Sequence, residues 1–126
     1  MQAAMVLIDS SSWIHYFRNR GDVGVRNRVV NLVQSGEAAW CPLIRLELWN
    51  GVGSEADRKM LREHETWLPD LKITDDVWGE ACALASRCRG VGKTAPANDV
   101  LIAACARHYE LELDFTDAHF EFLMTI

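Results

Sequence analysis

The sequence predicts an α/β protein, a three-layer α/β/α sandwich around a central parallel sheet. Residues 5–8 are a short, wholly apolar run that ends at Asp9, the pattern of a strand buried on both faces. Short apolar runs of this kind then alternate with stretches of helical periodicity along the chain, which implies strands joined by helical crossovers. No repeat, low-complexity tract or linker interrupts the alternation. The 126 residues therefore read as a single domain over 1–126, the usual size of one.

The elements follow in order. Ser10, Ser11 and Ser12 offer N-cap chemistry for a helix carrying Trp13, Ile14 and Phe17, and Gly21 breaks it. Val25, Val29, Leu32 and Val33 recur at helical spacing until Gly36. Residues 38–41 read as a second strand. Pro42 opens a helix through Leu43, Leu46 and Trp49 that stops at Gly51. Ser54 starts an amphipathic helix ending near Pro69, and residues 71–73 read as a brief strand. Thr74 caps a long helix with Asp75 and Asp76 in its first turn, where the dipole favours negative charge. Asn98 is the expected cap of a helix over 100–108, apolar almost all round and so central. Residues 111–115 read as a strand, 118–122 as a helical turn and 124–126 as a last strand.

Composition narrows the function. A net charge of −5 and a pI near 5.3 argue against broad nonspecific nucleic-acid binding, which uses a basic face. They leave room for a nucleic-acid enzyme whose acidic centre is neutralised by metal. The arginines at 18, 20, 26 and 28 cluster as a phosphate-tracking patch or an ordinary solvated face. The four cysteines form no C-x-x-C pair, which argues against structural zinc. Cys82 and Cys105 sit in apolar helical runs as small core residues. No secretion leader and no membrane-length apolar segment is visible, which implies a soluble, cytoplasmic protein that contacts no membrane.

The acidic residues carry the chemistry. Asp9, Glu47, Asp99 and Asp117 each sit in apolar surroundings, as in Leu46-Glu47-Leu48 and Phe115-Thr116-Asp117. A lone buried carboxylate there is costly, and several that converge need a cation, a proton or a basic partner. Ligands of open α/β sheets gather beyond the carboxyl ends of the strands, and these positions fall there. Clustered carboxylates suit Mg²⁺ or Mn²⁺, ions that serve phosphodiester cleavage. Each acid also has a plainer reading. Asp9 can cap the helix at 10–13, Asp99 can favour a helix N-terminus, Asp117 can make an Asx-turn, and Glu47 can face solvent.

The ordered segments Val6-Leu7-Ile8-Asp9-Ser10-Ser11, Leu46-Glu47-Leu48, Pro96-Ala97-Asn98-Asp99-Val100-Leu101-Ile102-Ala103-Ala104 and Asp117-Ala118-His119-Phe120 resemble the PIN-domain ribonucleases of the VapC toxin type. The third segment is the most specific, and the resemblance runs from Val6 to Phe120. It implies a metal-dependent endoribonuclease in which Asp9, Glu47, Asp99 and Asp117 hold Mg²⁺ or Mn²⁺. Ser11 and Thr116 would be polar helpers at the rim. It also implies an RNA substrate, a cognate antitoxin that blocks the cleft, and usually a homodimer. The chain departs from the family at His119, where an acid is frequent, and at Ile44, where Thr or Ser is frequent. Asp114 is a further acid nearby, so the fourth ligand is Asp117 or Asp114.

Other features are weaker. Gly90-Val91-Gly92-Lys93-Thr94 lacks the first Gly of a phosphate loop, with Arg87 in its place, so Lys93 reads as a basic loop residue. Trp13, Trp49 and Trp78 suit the core or a partner interface more than base stacking. His119 is the one histidine beside the proposed site. Two alternatives stand beside the nuclease: a receiver-like phosphoacceptor module, and a noncatalytic domain of the same fold that only binds a partner.

Overall fold

The computed structural model describes residues 4–18 and 21–126; Arg20 of the early arginine group lies outside them. Three parallel strands, β1 (Val6–Ile8), β2 (Ala38–Ala39) and β3 (Glu112–Asp114), lie in the order β2-β1-β3. Among the described residues, seven helices surround them: α1 (Ser10–Phe17), α2 (Val23–Gln34), α3 (Pro42–Gly51), α4 (Glu55–Glu65), α5 (Asp75–Gly90), α6 (Ala97–His108) and α7 (His119–Leu123). The expected α/β class with a parallel sheet is the one that forms.

β1 is central, which explains its unbroken apolar run. Val6 pairs with Ala38 on one side and Glu112 on the other, and Ile8 lies opposite Asp114. The Asp9 amide donates to the Asp114 carbonyl at 2.9 Å. The carboxyl ends of β1 and β3 are thereby fixed side by side, and whatever follows each strand emerges at the same sheet edge.

Two strands expected from the sequence do not form. At 71–73 the ladder stops after one parallel bridge between Trp40 and Asp70. Pro69 has no N–H to donate, so it only accepts, from the Trp40 amide at 3.1 Å. Thr74 then takes the chain into α5 as its N-cap, accepting from the Val77 amide. At 124–126 the backbone amides bond back to α7, Met124 to the Phe120 carbonyl and Ile126 to that of Phe122. This is a helix-end pattern, and it leaves those amides no strand to pair with.

Capping differs in two places. The cap of α1 is Asp9, whose carboxylate accepts from the Ser11 amide at 3.0 Å; the serines lie inside the first turn. α6 begins at Ala97 after Pro96, so Asn98 is a first-turn residue and not its cap. α1 itself ends at Phe17, before Gly21. Gly21 is required by a close approach: a Cβ there would stand 2.6 Å from the His15 backbone.

α6 is the central helix, as its sequence implies. Val100 to Ala106 are all buried, and Ile102, Ala103, Cys105 and Ala106 have no exposure. Its small residues admit close neighbours, and it packs against α5, α3, α7 and β3. Trp13 and Trp40 are core residues, packed with Tyr16, Phe17 and His64. Trp49 is half-buried and donates to Glu65 at 3.1 Å, whereas Trp78 is half-exposed. Cys105 is buried as expected, but Cys82 is exposed, on the rim of a groove between α5 and α6 that Trp78, Ala97 and Leu101 also line.

Replacing Ile102 by Ala removes a fully buried side chain from this helix. Urea unfolding should show a loss of about 2–5 kcal/mol with an unchanged slope; a loss below about 1 kcal/mol would mean that α6 is not the core of the fold.

Candidate metal centre

The sheet edge gathers acids from four separate segments. Asp9 follows β1 and is 3 % exposed; Asp99, in the first turn of α6, is 9 % exposed. Asp117 follows β3 and is half-buried, and Glu47 reaches in from α3, also half-buried. Leu46, the neighbour of Glu47, faces solvent instead.

The electrostatics tie these acids together. Burial pushes the Asp9 carboxyl above its ordinary 3.8; hydrogen bonds from Ser11 pull it back, and the charge of Asp117 pushes it further up. Burial raises Glu47 above 4.5, and the charges of Asp9 and Asp99 add to the rise. Burial raises Asp99 above 3.8, followed by the charges of Asp117 and Asp9, with His119 acting the other way. Among the described residues no lysine or arginine forms an ion pair with any of the four. Among the described residues the geometry brings Asp99 and Asp117 to ligand-sharing distance, together with His119; Asp9 and Glu47 are tied to them by the mutual effect of their charges.

The plainer readings of three acids hold as well, Asp99 lying in the first turn of α6. Asp9 caps α1 through Oδ2. Asp117 makes an Asx-turn, its Oδ1 accepting from the His119 amide at 3.0 Å. These local bonds orient each carboxylate while leaving it further acceptor capacity.

Asp114 is placed differently. Its carboxylate accepts two bonds from Arg28, at 2.5 and 2.9 Å, and one from the Ser12 hydroxyl at 2.8 Å. Its side chain is 7 % exposed, so its acceptor sites are occupied by the fold. Asp117 is the acid that joins Asp99. The same bonds revise the arginine patch: Arg28 holds Asp114, and Arg26 donates to the Tyr16 carbonyl at 2.9 Å.

Three consecutive serines organise the centre, a feature that looked like redundant capping. Ser10 donates to Glu47 Oε1 at 3.2 Å, and Ser12 donates to Asp114. Ser11 accepts from the Thr116 amide at 3.0 Å, and the Thr116 hydroxyl donates to the Ser11 carbonyl at 3.1 Å. Successive helical positions point about 100° apart, so one turn of α1 reaches α3, the exit of β3 and β3 itself. Ser11 and Thr116 thus bind each other at the rim. Asn98 lies close enough to Glu47 to favour its charged form.

His119 completes the group. Its Nδ1 stands 2.8 Å from Asp117 Oδ1 and 3.1 Å from Asp99 Oδ2. Asp99, Asp117 and His119 each offer one ligand atom, all within 4.8 Å of one another. Oxygen donors in this number, unneutralised by other cations, fit a hard divalent ion. Lys93, by contrast, lies over the Phe122 ring at 5.1 Å.

The PIN domain family profile matches residues 6–121. The chain belongs to the PIN-domain family. This PIN domain is 30% identical to ribonuclease VapC11 of Mycobacterium tuberculosis over 125 residues, 97% of this chain and 93% of the relative. It is similar in fold to FitAcB from Neisseria gonorrhoeae, with a TM-score of 0.73, 17% identity and coverage of 97% and 94% of the two chains. It is also similar to VapBC2 from Rickettsia felis bound to a promoter DNA fragment, with a TM-score of 0.76, 14% identity and coverage of 94% and 92%.

The raised acids have a direct consequence for stability. A carboxyl whose folded-state pKa is raised favours folding while protonated, below the ordinary values of 3.8 and 4.5. That contribution is lost as pH rises through the folded-state value. In chelator, the melting temperature should therefore rise as pH falls from neutrality toward the ordinary carboxyl values, and Asp99→Asn should melt higher than the unaltered chain at pH 7. A lower melting temperature for Asp99→Asn would mean that the Asp99 charge is stabilised within the fold.

Proposed function

We propose that this PIN domain, a single domain over 1–126, is a metal-dependent endoribonuclease toxin that cleaves RNA phosphodiester bonds. The observation that carries the reading is the set of buried and half-buried, mutually repelling acids Asp9, Glu47, Asp99 and Asp117, with no lysine or arginine paired to them among the described residues. The relatives named as VapC ribonucleases support the activity. The solved VapBC complexes of similar fold support an antitoxin partner and toxin–antitoxin pairing.

In this reading Asp9, Glu47, Asp99 and Asp117 hold Mg²⁺ or Mn²⁺. A divalent ion there supplies activation of an attacking water and neutralisation of charge on the phosphate. Ser10 sets the direction of the Glu47 carboxylate, and the cap and Asx-turn bonds set those of Asp9 and Asp117. Such preorganisation removes the need to reorient charges when substrate arrives. RNA binds through its phosphates to the cation, which reconciles a net charge of −5 with a polyanionic substrate.

Ile14, Phe17, Leu48, Val52 and Leu61 line a cleft that opens beside Glu47. An antitoxin segment docked there would cover the acids. The reading also includes a homodimer and a cytoplasmic location. No helix of the described residues is long and apolar enough to cross a membrane.

Asp99→Asn should keep the fold and lower RNA cleavage at least about a hundredfold, the upper end of what losing an outer-shell metal partner costs. Cleavage that persists undiminished in this variant, or in excess chelator, would overturn the nuclease reading. Mn²⁺ at a hundredfold excess over its Kd should add about 2.7 kcal/mol of stability, and much less in Asp99→Asn. An absent gain would favour a noncatalytic, partner-binding domain.

A further inference from the structure

We propose that His119 is itself a ligand of the bound cation, through Nδ1, and that it biases the site toward Mn²⁺ over Mg²⁺. The inference rests on the metal-dependent reading above and specifies which ion that site selects. Two donor atoms at right angles around an ion, each about 2.1 Å from it, stand about 3.0 Å apart. The distances from His119 Nδ1 to Asp117 Oδ1 and Asp99 Oδ2 are 2.8 and 3.1 Å. Both contacts of Nδ1 therefore have the spacing of neighbouring positions on one coordination sphere, and the three residues offer ligand atoms within 4.8 Å of one another.

The orientation of the ring agrees. The side chain is 44 % exposed, yet Nδ1 itself is buried and makes no aligned hydrogen bond to either oxygen. The nitrogen edge faces the acids and the rest of the ring faces outward. Neither carboxylate oxygen lies where an Nδ1 proton would point, although both are within reach. The Asp117 Oδ1 that faces this nitrogen is already fixed by the His119 amide. The Asx-turn therefore sets the spacing between residues 117 and 119 without calling on the ring.

Chemistry then selects the ion. Mg²⁺ is hard, demands near-ideal octahedral oxygen coordination and keeps its waters. Imidazole nitrogen is a softer donor that favours first-row transition ions. A set of carboxylates with one imidazole accepts both ions but gains relatively more from Mn²⁺. With an acid at position 119 the donors would all be oxygen and that gain would disappear.

The test uses the full-length chain with Mn²⁺ and Mg²⁺ as the probes and no RNA. Bound Mn²⁺ should show nitrogen modulation in pulsed electron paramagnetic resonance, lost in both His119→Ala and His119→Asp. Competition of Mg²⁺ against the free Mn²⁺ signal should give a Mn²⁺-to-Mg²⁺ affinity ratio that falls about tenfold or more in His119→Asp. A bound Mn²⁺ without nitrogen coupling, or a ratio unchanged in His119→Asp, overturns the assignment of His119 while leaving the nuclease reading intact. Failure of the unaltered chain to bind Mn²⁺ at all overturns the metal reading beneath it as well.

Discussion

Like charges crowded at the edge of the sheet are the constraint on which the rest depends. Parallel pairing of β1 with β3 places Asp9 and the chain after Asp114 at one edge. α6 brings Asp99 to it and α3 brings Glu47. Folding alone would not gather these groups, since burial and mutual repulsion both oppose their ionisation. Hydrophobic packing elsewhere, chiefly around α6 and the Trp13–Trp40 cluster, holds the arrangement together. A functional site of this sort is stabilised by the scaffold and completed by its ligand.

The supporting bonds divide into two sets with separate tasks. One set neutralises charge that the site does not use: Arg28 and Ser12 occupy Asp114, and that lock joins α2, α1 and β3. The other set orients charge that the proposed cation site would use. Ser10 aims Glu47, the Ser11 amide aims Asp9, and the His119 amide aims Asp117. The division explains why Asp114, although adjacent, stays outside the centre.

Much of this was legible in the sequence. The apolar run before Asp9 gave the central strand, Pro42 and Gly51 bounded α3, and Thr74 marked the start of α5. The acids were recognisable by their apolar neighbours. Less legible was anything decided by long-range partners. The stretch at 71–73 has strand-like residues, but Pro69 and the cap at Thr74 limit it to a single bridge. Residues 124–126 are apolar, yet their amides are taken by α7. Cys82 lies one position past Ala81 on α5, whose buried face is Val77, Ala81, Leu84 and Cys88, and its apolar neighbours in the sequence do not reveal that it is exposed. The three serines looked equivalent because periodicity does not reveal that each reaches a different segment. For Asp9 and Asp117 the local and the functional readings proved compatible, since a carboxylate that accepts one backbone bond retains other lone pairs.

Calorimetric titration of the full chain with Mn²⁺ near pH 5.5, repeated in buffers of different ionisation heat, tests the central claim most directly. Protons held by the raised carboxyls must leave when the cation enters. The account predicts net proton release, growing as the pH is lowered. Binding without proton release, or proton uptake, would contradict it, because the acids would then already be fully charged and stabilised by the protein alone.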